Sequence, residues 1–149
     1  MIEPALTPQV PTAAFDDVAN ATLPVRHRLP DTRRSVTHKF NIDGHEGYIT
    51  VGMYDDGRPG ELFIKIAKVG STMSGFADTI GVLTSLALQH GVPVETLAHK
   101  FENMRFEPAG WTKNSEIGHA HSLVDYIFRW LGLQFSSAYR EDCEARRRQ

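Results

Sequence analysis

The chain has 149 residues, a formal net charge of −2, and 41% hydrophobic and 23% charged residues. This length suits one domain with enough core to fold without a disulfide or metal, and the charge gives no general pull toward nucleic acid or an anionic membrane. The single cysteine, Cys143, excludes an intrachain disulfide, a CxxC pair and a cysteine-rich zinc site.

No apolar run reaches the roughly 18 to 20 residues of a membrane span. Met1-Ile2-Glu3-Pro4 lacks the basic-then-apolar order of a secretory leader. A free thiol in a charged segment suits a reducing compartment, so a cytoplasmic location is expected.

In chain order, residues 1–30 carry Pro4, Pro8, Pro11, Pro24 and Pro30 without sustained periodicity. Proline removes backbone donors and restricts its predecessor, so this zone reads as a flexible arm, or as a docking peptide that orders on a partner. From Val36 the pattern has period two: Val36, Phe40 and Ile42 alternate with Thr37, Lys39 and Asn41, and His38 lies on the apolar side. Turn residues at Asp43–Gly47 lead to a second run with Ile49, Val51 and Met53. A further cluster at Asp55–Gly60 leads to a third with Leu62, Ile64 and Ile66. Three alternating runs joined by glycine-rich turns predict an antiparallel meander.

After Gly70 the period becomes helical. Phe76, Ile80, Leu83 and Ala87 share one face, and Ser74, Ala77, Gly81, Thr84 and Leu88 form a neighbouring small-residue stripe suited to close approach on the sheet. Ser71 or Thr72 is the expected N-cap and Gly91 the stop. Pro93 opens a second helix with Val94, Leu97 and Phe101 on its apolar side. A third is expected from Ile117 to Leu131, capped by Asn114 or Ser115, with Asp125 and Arg129 as an i,i+4 pair. The expected fold is therefore α+β: a three-stranded antiparallel meander followed by three helices packed on one face. It occupies residues 31–136, and residues 137–149 form a charged tail.

Two places could carry chemistry. The turn Gly70-Ser71-Thr72 opens a helix, where unpaired amides and the dipole stabilise a phosphate or carboxylate. It is equally an ordinary helix start, and GxxxxGK[ST] is absent. The loop Asn103–Trp111 holds Arg105, Phe106, Glu107, Pro108 and Trp111, a mixture suited to a recognition surface or to pinning the loop on the core. A contact group for an anion or nucleotide is thus Gly70, Ser71, Thr72, Lys39, Arg105 and Glu107, with Lys39 supplied by the wet face of the first strand. The seven histidines show no metal-ligand spacing; His119 and His121 stand two apart. No metal site and no catalytic triad, GxSxG or HExxH arrangement is expected.

The runs RLPDTRRSVTHKFNIDGHEGYITVG, GELFIKIAKVGSTMSGFADTIG, SLALQHGVPVETLAHKFENMRFEPAGW and SLVDYIFRWLGLQF, in this order, resemble the TSCPD-type domain near the end of adenosylcobalamin-dependent (class II) ribonucleotide reductases. The resemblance extends from roughly Arg28 to Phe135. It implies a part in deoxyribonucleotide synthesis, and so in supply for DNA replication, alongside a class II reductase catalytic chain that holds the adenosylcobalamin. The family's radical chemistry uses catalytic cysteines in a large barrel domain. No residue here matches them, and the Thr-Ser-Cys-Pro-Asp run is absent. The resemblance therefore implies no catalytic residue and no cofactor bound by this chain, and activity only with a partner. Two alternatives stand beside it: a free-standing nucleotide- or anion-binding module, and a homodimer formed through an exposed sheet edge.

Overall fold

In the computed structural model of the chain, the structure describes residues 24–67 and 70–149. Most of the expected N-terminal arm, residues 1–23, lies outside the described residues. Its last part does not hang free. The His27 amide donates to Gln89 O at 2.8 Å, the Arg26 guanidinium donates to Gln89 Oε1 at 2.7 Å, and the Tyr54 hydroxyl donates to His27 O.

The three alternating runs form an antiparallel sheet in the order β1 (Ser35–Ile42), β2 (His45–Met53), β3 (Pro59–Ile66). Asp43 and Gly44, with φ of 49° and 83°, make the two-residue hairpin between Ile42 and His45. Both signs are what the strand twist requires of such a turn. The register sets Phe40, Ile42, Ile49, Val51, Leu62 and Ile64 on one face, all buried, while Tyr48 and Phe63 stand on the wet face.

Helix α1 (Ser71–Gln89) packs on β3 through the small-residue stripe expected to approach the sheet. Ala77, Thr84 and Leu88 are buried, whereas Phe76 and Leu83 remain 64% and 61% exposed. The small stripe wins because it permits a closer approach. A Cβ at Gly81 would lie 2.8 Å from Leu62 O, so only glycine fits there. Gly75 has open space around it and plays no such part. The N-cap is Gly70 rather than Ser71 or Thr72, and no side chain caps the helix. At the other end Gly91 (φ 86°) stops it as expected, and the Val92 amide reaches back to Ala87 O.

Helix α2 (Val94–Phe101) follows Pro93 and buries Val94 and Ala98. The third helix starts later than expected. Gly118 (φ 70°) breaks the period, Ala120 belongs to a short ladder of β4 (Gly110–Trp111) with β5 (His119–Ala120), and α3 runs from Leu123 to Phe135. Its cap is Ser122, whose Oγ accepts from the Asp125 amide at 3.0 Å. α3 is buried almost throughout and forms the centre of the core.

A fourth helix occupies residues expected to form a charged tail: α4 (Ser137–Arg147). Its buried side chain is Tyr139, and Arg140 and Arg146 bond back to Leu133 O and Glu102. Tyr139 is buried against Gly132 of α3, where an added Cβ would sit 2.5 Å from the Tyr139 ring and 2.8 Å from Ala98 Cβ. The Tyr139 hydroxyl donates to Glu102 Oε2 at 2.6 Å. A single aromatic among charges has too weak a period to be read from sequence.

Candidate functional site

Two regions beside the sheet gather polar and aromatic side chains, and the first includes the loop where chemistry was expected. The first is the excursion from Asn103 to His121, held at its base by one carboxylate. Asp125 is fully buried and accepts from the Asn103 amide at 2.6 Å and the His121 amide at 2.8 Å. The Arg129 guanidinium completes the node, reaching Asp125 Oδ2 at 3.3 Å, His119 O at 3.0 Å and Ile117 O at 2.9 Å. The expected i,i+4 pair thus does more than steady its helix. A buried charge must be paired and hydrogen-bonded to persist, and here the partners are both ends of the loop.

On that base the loop displays Met104, Arg105, Phe106 and Trp111 to solvent, Trp111 at 77% exposure. The Phe106 amide donates to His121 O at 3.2 Å, and Trp111 meets His119 edge-on with ring centroids 5.4 Å apart. Glu107, which precedes Pro108 through a cis peptide, accepts from the Ala109 amide at 3.3 Å. Among the described residues no ion pair joins Arg105 to Glu107.

The second region is the β1 edge. His38, Lys39, Phe40 and Asn41 border an open groove of about 350 Å³, closed on its far side by Thr112, Lys113, Asn114 and Tyr126. His38 Nε2 lies 2.8 Å from Tyr126 Oη, which also accepts from Asn114 Nδ2 at 3.3 Å. Burial holds the His38 imidazole below its ordinary pKa and raises the Tyr126 phenol, the latter opposed by the Asn114 hydrogen bond. Lys39 points to the other face, 3.3 Å from Glu46 and 5.9 Å from the centre of the Tyr48 ring.

The six residues of the expected contact group fall into two places. Met73, beside Thr72, and Pro108, beside Glu107, line one small apolar hollow of about 90 Å³ with Phe40, Ile42 and Leu123. The start of α1 therefore approaches the 107–108 loop. Lys39 belongs instead to the β1 groove. Gly70 and Thr72 are exposed at the helix start, as is Arg105 on its loop. Among the described residues no cluster of three potential metal ligands occurs.

Sequence reading missed a third feature. Ile80, Leu83 and Ala87 of α1 face Leu97, Phe101, Met104 and Phe128 across an almost wholly apolar groove of about 420 Å³. The signal was present in the Phe76/Ile80/Leu83/Ala87 period, which was read as one helix face without a partner.

A model of the TSCPD domain matches residues 20–135. The chain belongs to the TSCPD domain family. Among curated proteins, this TSCPD chain is 59% identical over 114 residues to a vitamin B12-dependent ribonucleotide reductase of Rhodopirellula baltica, covering 76% of this chain and 11% of that protein. It is 50% identical over 112 residues to one of Streptomyces coelicolor, covering 75% of this chain and 12% of the relative. A Bradyrhizobium diazoefficiens reductase is 40% identical over 115 residues, covering 76% and 9%. The chain thus spans about a tenth of the curated relatives it matches. No solved structure matches. Among the described residues no helix is long and apolar enough to cross a membrane.

Proposed function

We propose that this TSCPD domain is an accessory module of a vitamin B12-dependent ribonucleotide reductase, acting in the cytoplasm with a separate catalytic chain in deoxyribonucleotide synthesis. The supporting observation is a contrast. The chain shares 59% identity with a reductase of Rhodopirellula baltica but corresponds to 11% of it, and its 149 residues contain one cysteine. Reduction of a ribose hydroxyl through a thiyl radical consumes a pair of thiols, so the redox work falls to the partner. In this reading adenosylcobalamin is held by the catalytic chain, and the exposed apolar face around Leu83 and Phe76 serves as the docking surface.

The test is reconstitution. The catalytic chain from the same cells is assayed for ribonucleotide reduction with adenosylcobalamin and a dithiol, with and without this protein, and binding is measured by co-sedimentation. Formation of a stable complex with altered turnover supports the reading, and absence of any complex removes it.

A second reading is a nucleotide- or anion-binding module working without a reductase. It is favoured by the open start of α1, where no side chain occupies the leading amides. Arg105 and Glu107 would join Gly70, Ser71 and Thr72 in that site, without Lys39, which borders the β1 groove. Calorimetry with nucleoside di- and triphosphates separates the readings. Heat release without partner that is lost on Arg105→Ala favours the second, and silence favours the first.

A further inference from the structure

The two edges of the sheet are finished differently. At the β3 edge, α1 supplies side-chain partners in place of a fourth strand. Ser85 Oγ accepts from the Leu62 amide at 2.9 Å, and Gln89 Nε2 donates to Gly60 O at 3.0 Å. At the β1 edge nothing comparable occurs. The Ile42/His45 hairpin and the Met53 amide bonded to Arg34 O fix the ladder phase, so Val36, His38 and Phe40 turn their amides and carbonyls toward β2. Ser35, Thr37, Lys39 and Asn41 turn theirs outward, and among the described residues those groups have no hydrogen-bond partner. An unpaired edge of this length is a template for another strand. The 350 Å³ groove between it and Thr112–Asn114 leaves room beside it.

We propose that the occupant is β1 of a second copy of this chain, paired antiparallel about a twofold axis at His38 to give a six-stranded sheet. The choice of occupant and register rests on the strand's own chemistry. With His38 opposite its equivalent, Thr37 faces Lys39 of the second copy and Ser35 faces Asn41. All four outward-facing residues are then matched with one another, and no like charges oppose. Moving the axis by one residue, a register shift of two, would set Lys39 against Lys39, a destabilising pair. The His38 register also continues the core face, bringing Val36 of the second copy beside Phe40. Basic Arg33 and Arg34 at one strand's start come beside Asp43 at the other's end. His38 sits on the axis in its neutral form, stacked on Trp130 with centroids 4.7 Å apart, so the two imidazoles do not repel.

Sedimentation of the full chain over roughly micromolar to millimolar concentration, with amide hydrogen exchange at both ends of that range, tests this. The expected mass rises from 16.7 kDa to twice that value. The Thr37, Lys39 and Asn41 amides become protected only at high concentration, while those of Val36, His38 and Phe40 are protected throughout. Lys39→Pro deletes one outward donor in each copy and no bond of the β1–β2 ladder, and should weaken association by about thirtyfold, the scale of two hydrogen bonds. A monomer at every concentration overturns the proposal. So does a dimer in which the Thr37, Lys39 and Asn41 amides exchange as freely as in the monomer, or a folded Lys39→Pro variant that associates as tightly as the parent.

Discussion

The imidazole Nε2 of His38 on β1 meets the hydroxyl of Tyr126 on α3 at 2.8 Å, among the described residues the one hydrogen bond between the sheet and its central helix. The ring lies nearly parallel to Trp130, at 13°. Because burial lowers the folded-state pKa of His38, the neutral form is what the fold holds. The stabilisation is then fully present above the unfolded value, about 6.5, and is lost as pH falls through it toward the folded value. Thermal midpoints should therefore drop between pH 7.5 and 5. In Tyr126→Phe, the loss of the hydroxyl leaves His38 short of a partner and should cost about 1–3 kcal/mol in urea unfolding at pH 7.5. A midpoint equal to the parent's would show that the link contributes nothing.

Asp125 places a charge where none is exposed, and two loop amides depend on it. Asp125→Ala strands Arg129 and both donors, with an expected loss of about 3–5 kcal/mol. The same change should free the 103–121 loop, seen as faster amide exchange at Asn103 and His121. Loss of stability without that local change would mean the carboxylate does not anchor the loop.

Gly81 is required by distance rather than by conformation. The carbonyl that a methyl group would strike belongs to backbone, which cannot swing away. Gly81→Ala should cost about 1–3 kcal/mol through overpacking, although alanine is the better helix former by about 1 kcal/mol. Gly75→Ala, in open space, should instead stabilise by up to about that amount. Equal effects at the two positions would contradict the packing of α1 on β3.

Leu83 is more than half exposed at the rim of the α1–α2 groove. Leu83→Ser should leave the urea midpoint within about 0.5 kcal/mol of the parent, while weakening binding of a reductase catalytic chain in co-sedimentation. Undiminished binding would move the docking surface elsewhere.

Much of this architecture was legible in the residues. Alternation in β1, β2 and β3 is strict because one face is buried and the other wet, and Gly91 and Pro93 mark helix boundaries through fixed backbone preferences. In α1 two stripes lie side by side, and the sheet takes the small one, as expected, since Gly81 and Ala77 allow contact that Phe76 and Leu83 would prevent. At α3 the apolar period continued upstream through Ile117 and Ala120, which are buried but not helical, and periodicity alone cannot register the break at Gly118. Of the expected contact group, Thr72 and Glu107 stand beside residues that line one hollow, while Lys39 borders another groove, and strand alternation alone does not reveal which groove a strand face borders. Asp125 was seen only as half of an i,i+4 pair, because burial of a carboxylate leaves no mark in sequence.

The most direct test of the central claim is ribonucleotide reduction by the catalytic chain, with adenosylcobalamin and dithiol, as this protein is titrated in. The account predicts that turnover changes saturably with added protein and that the 149-residue chain alone forms no deoxyribonucleotide. Turnover indifferent to the protein, or deoxyribonucleotide formed by this chain without any other, would contradict it.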